Sequence, residues 1–296
     1  MYDSVLIATD GSEHARRAAI HANRLAERFG ATVHVLSVVD VQSHAGLFDA
    51  GGISQEFADQ LEANAKDAVE RLREAAASEL DLQTAVVEGD PADQILEYAT
   101  DHDVDVIVMG THGRRGVRRF IAGSVTEYVV RLADVPVLTV PADQSQRAVE
   151  SYDRILIPTD GSECANAAVE HALAIASRFD ATVDVLNVID VNAISGGAYA
   201  AYPPDVLDEL RSAGESATAS VADRARDAGV SVNTTVREGF PVRTILEYAS
   251  EEKSDVIVMG THGRSGLERF VLGSTTERIL RRAPVPLLSV HAPDAT

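Results

Sequence analysis

Lysine is nearly missing from this chain. Only Lys66 and Lys253 occur among 26 basic residues, against 46 carboxylates, for a net charge of −20. A nucleic-acid binder needs a basic footprint, so the balance excludes that class of partner. Acid excess with so little lysine points to a protein made for high salt, where screening over about 3 Å at 1 M quiets self-repulsion. Cysteine is as scarce. The single Cys164 rules out an internal disulfide framework and fits a reducing compartment. No apolar run approaches the roughly 20 residues of a membrane span. The chain enters a strand directly after Met1, with no leader pattern, so a cytoplasmic protein without membrane contact is expected. The nine histidines show no metal-ligand spacing. No metal ligand and no catalytic residue is predicted.

What is present is a repeat with a constant offset of 150 residues. Thr9-Asp10-Gly11-Ser12-Glu13 returns at Thr159 to Glu163, Ile95 to Ala99 at Ile245 to Ala249, and Val135-Pro136-Val137 at Val285-Pro286-Leu287. A repeat of this length means two copies of one fold. The boundaries read as domain 1 over 1–142, a polar linker over 143–151 and domain 2 over 152–296.

Each copy alternates β-rich runs with amphipathic stretches. In the first, strands are predicted at Ser4 to Ala8, Val33 to Val39, Leu82 to Glu88, Val104 to Met109 and Val135 to Val140. Helices are predicted from Asp10 or Ser12 to Phe29, Ser54 to Ser78, Pro91 to Asp101 and Val125 to Leu132. Gly30 fits the end of the first helix, and Pro91 the start of the third. Strict alternation demands an α/β fold, here two tandem open five-stranded parallel sheets with helices on both faces. Runs such as Val106 to Met109 are apolar at successive positions, as strands buried on both faces must be.

The densest signal is Asp105 to Arg114 followed by Gly123-Ser124, repeated at Asp255 to Arg264 and Gly273-Ser274. Gly110, Gly113 and Gly123 share their spacing with Gly260, Gly263 and Gly273. Backbone that approaches a phosphate closely favours residues without a Cβ, and free amides at a helix start suit an anion. Ligands of open parallel sheets bind at the carboxyl ends of the strands. The first-strand ends (Asp10, Asp160), the second-strand ends (Val38, Val188) and the glycine turns all fall there. Plain structural roles compete with the binding roles. Ser124 with Glu127, and Ser274 with Glu277, read as S-x-x-E capping boxes. Asp10 and Asp160 read equally as helix N-caps. His112 and His262 have no triad partner and suit positioning or solvent contact. Arg114 and Arg264 either reach phosphate or stay solvated. Arg115, Arg118 and Arg119 flank the first turn, where the second has Ser265, Glu268 and Arg269. The local field therefore predicts the stronger polyphosphate hold in the first copy.

Together, Thr-Asp-Gly-Ser (9–12, 159–162), Val-Met-Gly-Thr-His-Gly-Arg (108–114, 258–264), the distant Gly-Ser (123–124, 273–274) and the Val-Pro-Val/Leu strand make each half resemble a universal stress protein domain of the ATP-binding subgroup. The resemblance covers nearly the whole chain. It implies a Rossmann-like fold of the adenine nucleotide alpha hydrolase type and an adenine nucleotide along each rim. ATP is the first expectation, with ADP or AMP as alternatives and Mg or Mn carried by the phosphates. Triphosphate contacts map onto Gly113, Gly123, Ser124, Val125 and Thr126, and onto Gly263, Gly273, Ser274, Thr275 and Thr276. Base and ribose contacts map onto Asp10, Val38, Met109 and Gly110, and onto Asp160, Val188, Met259 and Gly260. Members carry Pro before the first-strand Thr-Asp; Pro158 keeps it and Ala8 does not. Members also dimerise, often through the last strand, so a tandem chain is expected to form that dimer internally, with a further homodimer as an option. Small-angle scattering is expected to show one compact particle; two separated, mobile domains would contradict the internal dimer.

Three functions compete. The first is nucleotide-dependent sensing or regulation in a stress response, without strong catalysis. The second is an ATP-cleaving enzyme of related fold or a slow ATP hydrolase, since a bound divalent cation can polarise phosphate without a protein base. Its adenylating relatives carry Ser-Gly-Gly-x-Asp-Ser after the first strand, where this chain has Asp10-Gly11-Ser12-Glu13. The third is an interaction scaffold with empty clefts. The sequence has backbone cradles but neither a Walker lysine nor a nucleophile–base pair, which favours the first. The loops at 41–52 and 191–204 differ most between the copies, and Tyr199, Tyr202, Pro203 and Pro204 suggest a lid in the second.

Overall fold

A computed structural model describes residues 1–41, 55–76, 80–111, 123–141, 151–190, 204–263 and 272–292. It divides into two compact units, Met1–Val149 and Glu150–Thr296. Most of each interior loop expected to vary, at 42–52 and 191–203, lies outside the described residues, as do the linker up to residue 150, Gly113, His112, and the arginine-bearing flanks at 114–119 and 264–269.

In the first unit the elements are β1 (Ser4–Ala8), α1 (Glu13–Phe29), β2 (Thr32–Val39), α2 (Gln55–Ala75), β3 (Leu82–Glu88), α3 (Pro91–Asp101), β4 (Val106–Gly110), α4 (Ser124–Leu132) and β5 (Val137–Val140). All pairings are parallel and give the order β3-β2-β1-β4-β5. The order reverses between β1 and β4, which opens a crevice at their carboxyl ends. Val5, Leu6, Ile7, Val106, Ile107 and Val108 are at most 1% exposed, because helices cover both faces of these central strands. Ala18, Ala22 and Ala26 are fully buried, and their small side chains let α1 lie close on the sheet.

Strand ends differ from expectation for identifiable reasons. Asp105 precedes β4; its N–H donates to Ser4 O at 2.9 Å, and its carboxylate accepts from the backbone N–H of Asp3 (2.7 Å) and Ser4 (2.9 Å) and so fastens the start of β1. Val135 and Pro136 precede β5. Pro136 has no N–H to give, but its carbonyl accepts from Ile107 at 3.0 Å. Ser12, not Asp10, caps α1, accepting from Ala15 N at 3.2 Å.

In the second unit the elements are β6 (Arg154–Pro158), α5 (Glu163–Phe179), β7 (Thr182–Asp190), α6 (Pro204–Asp227), β8 (Val232–Gly239), α7 (Pro241–Glu251), β9 (Val256–Gly260), α8 (Ser274–Leu280) and β10 (Leu287–Val290). Their parallel order is β8-β7-β6-β9-β10. Asp255 repeats the fastening, accepting from Asp153 and Arg154 N–H at 2.8 and 2.9 Å.

The units part company toward the amino ends of the strands. In the second, Arg154 grips Asp184 through Nε and Nη2 at 2.9 and 2.8 Å, and Nη2 also meets Glu252 at 2.9 Å. Asn233 donates to Asp184 at 2.9 Å, and Asp184 is fully buried. The first unit has Ser4, His34, Gln83 and His102 at these four positions. There His34 Nδ1 lies 3.0 Å from the Tyr98 hydroxyl, and Tyr98 stacks on His102 at 3.8 Å. Burial, reinforced by His102 and opposed by Asp81, holds His34 below the ordinary imidazole range. A network of charged side chains in one copy is therefore replaced by an aromatic cluster in the other.

Candidate functional site

Each crevice is built by three segments of its own unit. In the first, β1 runs on into Thr9, whose N–H donates to Leu36 O at 2.8 Å. The chain then folds back on itself: Gly11 N–H donates to Thr9 Oγ1 (3.1 Å) and Ser12 N–H to Asp10 Oδ1 (3.0 Å). Asp10 is thereby held half-buried at the mouth. Val38 is half-buried toward the end of β2. Met109 is buried near the end of β4. Gly110 follows it, and a Cβ there would stand 3.0 Å from the His14 backbone carbon. That contact explains the glycine: β4 ends against the first turn of α1.

The third segment is tied to β4. Gly123 N–H donates to Thr111 O at 2.8 Å, and Thr126 Oγ1 donates to Gly110 O at 3.0 Å. Gly110, Thr111, Gly123, Ser124 and Thr126 are therefore gathered at one strand end. Gly123 is the N-cap of α4, and no side chain caps it. This corrects the capping-box reading of Ser124, which sits one residue inside the helix and is exposed. Val125 is half-buried. Thr126 is buried with its hydroxyl committed, so only its backbone N–H is left to offer a ligand.

The second unit repeats the plan. Thr159 N–H donates to Leu186 O at 2.9 Å, Ser162 N–H to Asp160 Oδ1 at 3.0 Å, Gly273 N–H to Thr261 O at 2.9 Å, and Thr276 Oγ1 to Gly260 O at 2.9 Å. Gly273 caps α8, which removes the capping-box role from Ser274 as well. Ser274 is exposed, Thr275 and Val188 are half-buried, and Met259 is buried. Here Gly263 is described, and a Cβ on it would fall 2.8 Å from Asp160 Oδ2. The glycine turn and the first-strand aspartate thus close on one another.

Asn187 and His291 escaped the sequence reading, as did the contacts made by Cys164 and Thr261. Asn187, 7% exposed, donates to Thr159 O at 2.7 Å and pins the turn after β6. Cys164 lies under Gly260, with Sγ donating to Val290 O at 3.3 Å. Thr261 Oγ1 stands 2.9 Å from His262 Nδ1 and 3.2 Å from His291 Nδ1. Burial, then His291, pushes His262 below the ordinary imidazole range. The first copy has Ser37, His14 and Pro141 where the second has Asn187, Cys164 and His291. Aligning the two copies marks these as departures, but only the fold brings them to the crevice. Among the described residues no cluster of three or more His, Cys, Asp or Glu is placed to hold a metal ion, and no helix is long and apolar enough to cross a membrane.

Comparison with known proteins agrees with this architecture. A solved universal stress protein from Archaeoglobus fulgidus superposes over 98% of this chain and 97% of its own with a TM-score of 0.69; at 23% identity it speaks for the fold. A universal stress protein of Mycolicibacterium smegmatis is 27% identical over 302 aligned residues, 97% of this chain and 96% of its own. One from Methanocaldococcus jannaschii is 40% identical over 142 residues, 48% of this chain and 84% of its own. The family model described as "Universal stress protein family" matches twice, at residues 1–141 and 151–291. With nearly all of its length taken up by the two matches, the chain belongs to the universal stress protein family as a tandem pair of its domains.

Proposed function

We propose that each unit binds one adenine nucleotide, ATP in the first instance, and that the protein acts in a stress response through nucleotide-dependent sensing or regulation. The observation that carries the reading is Gly263, whose missing Cβ leaves Asp160 Oδ2 room beside the glycine turn. A side chain there would fill the space between the first-strand carboxylate and the backbone that would cradle phosphate. Gly273, where a Cβ would lie 2.9 Å from Thr261 O, supports the same reading at the start of α8. In this reading Asp160 and Asp10 accept from ribose hydroxyls. The triphosphate lies along the backbone of Gly263, Gly273 and Ser274, and of Gly113, Gly123 and Ser124. Mg or Mn, where present, arrives on the phosphates.

Denaturing the purified protein and running the supernatant on anion exchange is expected to release ATP, ADP or AMP. Nucleotide-stripped protein is expected to melt higher on adding ATP, since ligand at 100 times its Kd contributes about 2.7 kcal/mol. An empty supernatant together with an unchanged melting curve would overturn the reading in favour of a scaffold. Accumulation of AMP and pyrophosphate from ATP would replace it with an adenylating enzyme.

A further inference from the structure

The Thr261 hydroxyl stands at the centre of a cluster with a fixed proton count. It has one hydrogen to give and approaches Nδ1 of both His262 and His291. If both bonds form, the hydroxyl donates to one ring and the other ring must donate its own Nδ1–H to Oγ1. Two neutral rings in this arrangement take opposite tautomers. Cys164 Sγ is also near Thr261 Oγ1, at 3.7 Å, but its proton is directed to Val290 O. His262 Nε2 is buried and has no hydrogen-bond partner among the described residues. The ring belongs to the residue before Gly263, and Gly263 abuts Asp160.

We infer that His262 and His291, joined through Thr261 Oγ1, form a one-proton device in the second site that takes up a proton as an anionic ligand binds. Resting on the nucleotide reading above, it makes His262 Nε2–H a donor to a phosphate oxygen. Where His262 Nδ1–H already donates to Thr261 Oγ1, the added proton goes to Nε2 and needs no rearrangement. With His262 protonated, Nδ1–H donates to Thr261 Oγ1, the hydroxyl donates on to His291 Nδ1, and Nε2–H is left for the ligand. A second proton is opposed by the first, because the two rings lie 5.9 Å apart. The other titratable groups facing the turn among the described residues are Asp160, from the turn between β6 and α5, and Cys164, from α5. Burial and His291 keep His262 below the ordinary value without ligand, so His262 is neutral at pH 7. A polyphosphate alongside favours the charged form. Uptake is therefore expected in the window above the lowered value of the empty site and below the raised value of the occupied one, around the ordinary imidazole value of about 6.5. Pro141 stands in the first unit where His291 stands here, so the linkage through His291 belongs to the second site.

The test is calorimetric titration of nucleotide-stripped protein with ATP in two buffers of different ionisation heat, at pH 6.5 and 7.5. The wild type is expected to take up protons at pH 6.5, and affinity at the second site to rise as pH falls, by at most about tenfold per pH unit for one linked proton. His291→Asn and, separately, His262→Asn are expected to remove that uptake and flatten the pH dependence. A merely structural role would lower affinity equally at both pH values. ATP binding without proton uptake, or with uptake unchanged in both variants, overturns the device and leaves the nucleotide reading standing. No ATP binding at either pH overturns both.

Discussion

Alanine at Gly260 is expected to destabilise the second unit by about 1–3 kcal/mol, whereas alanine at Gly263 is expected to spare the fold and weaken nucleotide binding. The two glycines lie three residues apart in one turn, and both would bring a Cβ within 2.8 Å of another atom. What they would strike differs. At Gly260 the neighbours are the Cys164 backbone carbon and oxygen, besides Sγ. Those backbone atoms belong to the first turn of α5, so strand and helix must separate. At Gly263 the neighbour is Asp160 Oδ2, the end of a side chain that can rotate. Rotation releases the contact but carries the carboxylate away from where a ribose would meet it and strains its bond from Ser162 N–H. Losing one charge-assisted hydrogen bond weakens binding by about 1.5–3 kcal/mol, or roughly 10- to 150-fold. Thermal melting reads the first effect, and ATP titration of the folded Gly263→Ala variant the second. An unstable Gly263→Ala or an unaltered Gly260→Ala would show that the turn is not packed in this way.

Arg154→Met is expected to cost the second unit about 3 kcal/mol, the low end of the 3–5 kcal/mol seen when one partner of a buried ion pair is removed. The low end applies because the Arg154 side chain is 34% exposed, so water recovers part of the loss. Asp184 gets no such relief: it is fully buried and would keep only Asn233 among its hydrogen-bond partners described above. The first unit shows how the same fold does without the pair, placing Ser4 and His34 at these positions. The double variant Arg154→Ser with Asp184→His is therefore expected to recover part of the loss. A coupling energy in that cycle would show that the two residues act together. Urea melts of the wild type, Arg154→Ser, Asp184→His and the double variant supply the cycle, with Arg154→Met measured beside them. Additive losses would mean that Asp184 does not depend on Arg154.

The repeat and the strand–helix alternation were legible because they are local: periodicity, capping residues and the constant offset need no third dimension. The glycine spacing was legible for the same reason, since a turn that approaches other backbone closely leaves its mark in one stretch. Ser124 and Ser274 were misread because S-x-x-E matches a capping box, while the cap is the preceding glycine, tied by its N–H to Thr111 or Thr261. The repeated Asp105 and Asp255 fasten the sheet at the end opposite the crevice. Their partners lie about a hundred positions away, beyond any local pattern. The contacts of Arg154 with Asp184, and of Cys164 with Thr261 and Val290, are long-range in the same way.

The central claim is that the chain holds two adenine-nucleotide sites, one in each unit. Calorimetric titration of stripped, folded protein with ATP tests it most directly. The expected stoichiometry is two nucleotides per chain, falling to one when Gly263→Ala is titrated over a range that saturates only the intact first site. A wild-type stoichiometry of one, or no binding heat and no melting shift at millimolar ATP, would contradict it.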